Sequence, residues 1–200
     1  MNFPRHAIAD KAEGMDTRTL LLDHAEAVVR GRGFDGFSYA DLADAVGIRK
    51  ASIHHHFPRK ADLALALIER YSVRLKQRVD ALGAQGSSAA EQLRGLVATY
   101  RAAIEGGTKL CLCVALAVGR DSLGEPVIAR LAAFHDQLAA WLTGCFELAR
   151  SDGSVAAVGD PAAEALATLA LMEGAQLIAR VAGRVDLFDA ATAPFLARLH

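Results

Sequence analysis

The stretch that decides the fold is Tyr39–Phe57, YADLADAVGIRKASIHHHF. It reads as two short helices, Tyr39 to Val46 and about Lys50 to Phe57, with Gly47 ending the first and Pro58 stopping the second. Helices this short do not hold together in water, so they must pack. Their spacing says how. Ala43 lies four residues before Gly47 and Ile53 six after it. Where two helices cross closely, the first needs a small side chain at the crossing, the glycine makes the turn, and an apolar residue of the second points inward. Leu42, Val46, Ile48 and Phe57 supply further apolar contacts.

With Ile53 and Phe57 inward, an advance of about 100° per residue sends Lys50, Ser52, His54 and His55 outward, with Arg49 at the helix start. That outward set consists of donors and cations, which suits a DNA major groove with phosphates at its sides and base edges at its floor. Ser38 is the candidate N-cap of the first helix, with Asp41 standing where a capping box carries Glu or Gln. The backbone around Ser38 and Tyr39 can aim N–H groups at a phosphate, and Lys60 is a further phosphate anchor. His56 is expected to pack.

Competing readings are weaker. Adjacent helical histidines point about 100° apart, whereas metal ligands recur at i, i+4, so no metal is expected at His54–His56, and no cofactor elsewhere. No nucleophile or acid partner sits at a telling spacing, so the chain is not read as an enzyme. Arg49, Lys50, Arg59 and Lys60 alone would pass for a solvated surface. Beside the helix-turn-helix spacing, they read as a nucleic-acid face.

Around this unit the composition is helical. The 200 residues are 52% hydrophobic, rich in Ala and Leu, with 5 prolines. We expect an all-α chain of about nine helices: a helix-turn-helix module with its connecting helix at 16–82, a second helical module at 83–200, and a disordered arm at 1–15. The boundary falls in GAQGSSAAE, Gly83–Glu91. Helices are expected near 17–31, 61–82, 89–105, 110–118, 126–150, 161–181 and 190–199. Pro126 and Pro161 each suit a first turn. The net charge of −1 is uneven: residues 16–80 carry eleven basic and nine acidic side chains, residues 81–200 nine and twelve. No charge-free apolar run is long enough for a membrane span or a secretory leader, so a cytoplasmic protein is expected. Three cysteines, an odd count, argue against a disulfide framework.

The segment GFDGFSYADLADAVGIRKASIHHHFPRKADLALALI resembles the DNA-binding region of the TetR family of bacterial transcriptional repressors. The likeness runs over about Thr17–Tyr71, in the order of small, glycine, basic and aromatic positions ending in HHFPRKADL. The family usually has tyrosine at His54 and serine or threonine at Arg49, so these two positions bear on which operator is read. The resemblance implies a homodimer on double-stranded operator DNA, with a second domain that binds a small-molecule effector and dimerises.

The second module is compatible with both roles. PAAEALATLALMEGAQLIARV is apolar on most faces, so it must be buried on several sides. With the last helix it can form a four-helix interface across a two-fold axis, through Leu166, Leu169, Glu173, Leu177, Phe188 and Phe195. Pairing also places two recognition helices about one DNA turn apart. An effector pocket is expected among the middle helices, walled by Val114, Phe134, Leu138, Trp141 and Met172, with Tyr100, His135 and Gln176 as polar groups. Cys111 and Cys113 suggest an alternative. Two apart on a helix, one should face in and the other out, and a helix start with Lys109 nearby can lower a thiol's pKa. GTKLCLCVAL resembles the segment of family members that respond to electrophiles or oxidants, so the switch can be a thiol. A reading of another class is a helical carrier or enzyme that does not bind DNA.

Overall fold

The computed structural model describes residues 16–83 and 87–200. The expected arm at 1–15 lies outside them. Nine α-helices follow in order: α1 (Thr17–Arg32), α2 (Tyr39–Val46), α3 (Lys50–His56), α4 (Lys60–Gly83), α5 (Ala89–Ala103), α6 (Leu112–Val118), α7 (Glu125–Asp152), α8 (Pro161–Ala182) and α9 (Asp186–Leu196). The only β pairing among the described residues is a single bridge between Val155 and Leu199.

The N-terminal helices assemble as their spacing requires. Gly47 closes α2 in the left-handed region at φ 77°, ψ 28°, and its N–H donates to the Ala43 carbonyl. Ala43, Leu42, Ile53 and Phe57 are buried. Asp41 replaces the usual Glu in a complete capping box: Ser38 Oγ accepts from the Asp41 N–H while the Asp41 carboxylate accepts from the Ser38 N–H. Asp reaches because Ser38 is extended at the cap, bringing its N–H within 2.7 Å of Oδ2.

The helix α4 belongs to both halves of the molecule. Leu63, Leu67 and Ile68 are buried toward the N-terminal helices, and Ser72 and Val79 further along. α4 packs on α1, α5, α6 and α7, and one apolar core runs through all of these. α8 packs on α7 and α9. The last helix starts earlier than expected, at Asp186, because buried Phe188 lies in its first turn and Asp186 and Asp189 sit near the positive end of its dipole. Pro194 is accommodated near its C-terminus.

Polar contacts lock the two halves together. Glu26 of α1 is buried, and its carboxylate accepts from Arg70 Nη2 at 2.9 Å and Arg74 Nη2 at 2.5 Å, both on α4. Arg30 donates to the carbonyls of Leu110, at 2.9 Å, and Ala103. Arg180 of α8 donates to the Gly31 carbonyl at 2.7 Å, and Ser122 donates to Asp35 at 2.7 Å. Removing one partner of a buried pair leaves a charge uncompensated, so these contacts cost more to break than exposed pairs.

Gly47 tests the turn. A Cβ there would meet nothing within 4 Å, so only the left-handed backbone opposes it. Gly47→Ala should destabilise by about 1–2 kcal/mol, the cost of an L-residue in that region, read from urea unfolding. An unchanged midpoint would mean that the α2–α3 turn is not held as described.

Candidate nucleic-acid interface and sensor site

The α3 surface opposite Ile53 is open. Arg49, Lys50, His54 and His55 are exposed, and Ser52 is partly so. His54 is oriented from two sides. Its ring meets Tyr39 edge-on at 5.0 Å between centroids, and Nδ1 lies 3.2 Å from the Pro58 carbonyl. A carbonyl only accepts, so Nδ1 carries the proton in that bond. His56 packs against the Phe57 ring at 6.5 Å. The N–H groups of Tyr39 and Ala40 leave the start of α2 unpaired within the helix, as first-turn donors do.

One expected phosphate anchor is committed inward. Lys60 Nζ donates to the carbonyls of Phe34 at 2.6 Å and Phe37 at 2.7 Å, and stands over both rings at 4.6 and 4.3 Å. Burial lowers its pKa. It closes the α1–α2 connection instead of facing solvent. Tyr39 is buried and its hydroxyl donates to the Phe57 carbonyl at 3.0 Å. Burial, with Asp62 nearby, pushes its pKa up to about 12. Its side chain ties α2 to the end of α3.

In the second half, a cavity of about 330 Å³ lies between α4 and α7. Phe134, Leu138 and Trp141 line it, joined by Ser72, Leu75 and Val79 of α4. The other residues expected at a pocket lie elsewhere. Tyr100, Val114, Met172 and Gln176 are buried and line neither this cavity nor a larger one on the other side of α4. They belong to a packed layer around the cysteines. Gln176 Oε1 accepts from the Cys111 N–H at 2.7 Å. His135 Nε2 lies 2.9 Å from Glu173 Oε1, with both side chains about 27% exposed. That carboxylate, opposed by burial, raises the His135 pKa.

Both Cys111 and Cys113 are buried, which corrects the expected inward–outward split. The reason is local. Cys111 is the N-cap of α6 with an extended backbone, so helical geometry does not separate the pair. Its Sγ accepts from the Val114 N–H at 3.4 Å. The Cys113 thiol donates to it, and this bond first, then the Val114 amide, lowers the Cys111 pKa against the opposing effect of burial. Cys113 and Cys145 are pushed up, chiefly by burial, Cys145 to about 12. Lys109 instead pairs with Glu105 at 2.7 Å.

Residues 21–67 match the family described as bacterial regulatory proteins, tetR family, and residues 89–195 match the tetracyclin repressor-like C-terminal domain. The chain belongs to the TetR family of bacterial transcriptional regulators. A TetR-family regulator structure from Agrobacterium tumefaciens is 35% identical, with a TM-score of 0.84 over 91% of this chain and 96% of that one. The repressor NemR of Escherichia coli K12 is 26% identical over 89% of this chain and 91% of its own. The reduced form of E. coli NemR, at 24% identity, shares the fold with a TM-score of 0.77 over 93% and 98%. The regulator CymR of Pseudomonas putida is 38% identical over 69 residues, about a third of each chain.

Within this TetR-family fold, the residues expected at a dimer surface divide. Leu166 and Leu177 are exposed on α8, at 62% and 41%. Leu169, Phe188 and Phe195 are buried within the protomer, where α8 meets α9 and the rest of the core. Glu173 is turned toward His135. The outward stripe continues instead through Ile178 and Val181, the latter 90% exposed. α8 has the length and hydropathy of a membrane span, but 39% of its apolar window is buried against the protein.

Two measurements separate the roles just described. Lys50→Ala should leave thermal stability unchanged, weaken DNA binding, and reduce the log–log salt slope by about one. Lys60→Ala should lower the melting temperature. The reverse pattern would exchange the two assignments. The His135–Glu173 pair gives a pH signature. Because the folded pKa is raised, the pair's stabilisation is complete below the ordinary value near 6.5 and is lost as pH rises through the folded value. NMR titration of His135 should show a midpoint above 6.5, and Glu173→Gln should bring it down. A midpoint unmoved by Glu173→Gln would remove the carboxylate as its cause.

Proposed function

We propose that this TetR-family chain is a homodimeric, cytoplasmic repressor of operator DNA, released when a small apolar effector occupies the cavity between α4 and α7. The observation that carries the reading is that α4 serves two surfaces. Its N-terminal half seats the helix-turn-helix through buried Leu63 and Leu67, and Leu75 and Val79 wall the cavity. A ligand that prefers one placement of α4 therefore prefers one placement of α3. It shifts the DNA-binding equilibrium by that difference in affinity and no more.

Arg49, Lys50, Ser52, His54 and His55 are the DNA-contacting set in this reading, with the α2 N-terminus at Ser38 and Tyr39 set against a phosphate by backbone amides. The homodimer rests on the apolar stripe of α8. Leu166, Leu177, Ile178 and Val181 expose more large apolar side chain than a lone protomer needs, and a second α8 across a two-fold axis would cover it. The repressor assignment follows the name of NemR, a relative aligned over most of both chains.

A second reading has its own observation. Cys111 caps α6 with its sulfur, and its pKa is lowered. Thiolate attack on an electrophile forms a carbon–sulfur bond, and the bulk on sulfur would dislodge the Val114 amide and loosen the start of α6. The deciding experiment is binding of the reduced protein to a labelled duplex from upstream of its own gene, before and after N-ethylmaleimide. Salt-dependent binding that survives the reagent supports a pocket effector. Binding lost in the wild type and kept in Cys111→Ser supports the thiol switch. Affinity no better than for a random duplex counts against specific readout by α3. For the dimer, Val181→Glu should yield a monomer by sedimentation, and an unchanged dimer would move the interface off this stripe.

A further inference from the structure

The larger cavity, about 590 Å³, opens between α1, α4 and α5, on the side of α4 away from α7. Its chemistry is unlike that of the α7 side. Arg74 and Arg78, one turn apart on α4, and Arg30 of α1 bring three guanidinium groups to its wall, against one carboxylate, Glu105. Glu105 is already shared between Lys109 at 2.7 Å and Arg30 at 3.6 Å. Arg78 has no ion-pair partner among the described residues. Arg74 is held by Glu26 at 2.5 Å, so Arg78, one turn on, presents the guanidinium without an ion-pair partner at this wall. The remainder of the wall is Tyr71, Leu75, Ala102 and Ala103, which supply its apolar surface, with Gln77 and Thr99 as polar groups.

We propose that this cleft binds an amphipathic carboxylate, its anionic head on Arg78 and Arg74 and its apolar body against Leu75 and Ala102. The protein already contains the corresponding contact: the Glu26 carboxylate takes Arg74 at 2.5 Å. Planar guanidinium groups match a carboxylate two bonds at a time. The volume lies within the range of small-molecule sites. A ligand head on Arg74 competes with Glu26, and Glu26 is what fastens α1 to α4. Occupancy therefore bears on the seating of the DNA-binding helices. Leu75 lines both cavities, so Arg78 on this side and Trp141 on the other tell the two sites apart.

The test uses the full chain and isothermal titration calorimetry at low salt with octanoate and 4-phenylbutyrate. 1-Octanol, 4-phenylbutanol and inorganic phosphate serve as comparisons. The carboxylates should bind and the alcohols should not. Arg78→Ala, a surface change that leaves folding intact, should weaken the carboxylates about tenfold, with Arg78→Lys recovering part of the loss. Added salt should weaken binding further. Trp141→Ala, in the other cavity, should leave carboxylate affinity unchanged. The proposal is overturned by equal binding of alcohols and acids, by phosphate binding more tightly than octanoate, or by an affinity that responds to Trp141→Ala and not to Arg78→Ala. Absence of heat from every carboxylate up to about 1 mM, the weak end of the affinity scale, overturns it as well.

Discussion

Everything in this molecule depends on α4 being one helix inside one core. A 24-residue helix spans about 36 Å at 1.5 Å per residue, longer than either half of the protein needs. Its first turns are buried under α1 and its later turns are walled by α5 and α7. Packed interiors do not deform continuously, so a displacement at the C-terminal half is passed along the helix as a rigid shift. The ion pairs of Glu26 with Arg70 and Arg74 fasten α1 to the same helix, so the DNA-binding helices and α4 move together. In the proposed mechanism, a ligand several turns away alters the placement of α3 without touching it.

The interface side was largely legible in the sequence. A glycine turn flanked by Ala43 and Ile53 leaves few ways to pack two short helices, so burial of Ile53 and exposure of Lys50, His54 and His55 follow from helical geometry. Lys60 was misplaced for a definite reason. A cation after a proline looks solvent-bound in one dimension. Only the folded chain brings the Phe34 and Phe37 carbonyls to Lys60, 26 and 23 residues apart in sequence, and the Phe57 carbonyl to Tyr39. The partners were invisible because they are backbone oxygens.

The second half was less legible, and there too the cause is physical. α8 is apolar around most of its circumference, so periodicity does not say which side faces the protomer. The structure assigns Leu169 and Met172 inward and leaves Leu166, Leu177, Ile178 and Val181 outward. The cysteines were read as helical neighbours pointing apart. Cys111 instead ends an extended segment, and both thiols are buried in a layer that includes Gln176. Three arginines at one cavity could not be gathered from sequence either, since Arg30 and Arg78 meet only through the packing of α1 on α4.

The central claim is that two copies present their α3 helices at a spacing that matches DNA and changes with occupancy of the second half. The most direct measurement is an inter-protomer distance. A bioorthogonal spin label at exposed Ala51 leaves the three buried cysteines untouched. Pulsed electron resonance on the operator complex should give one distance, on the order of the 34–36 Å of a DNA turn, and a displaced distribution when an effector releases the DNA. Absence of any inter-protomer distance, or a distribution identical in the bound and released states, would contradict the account.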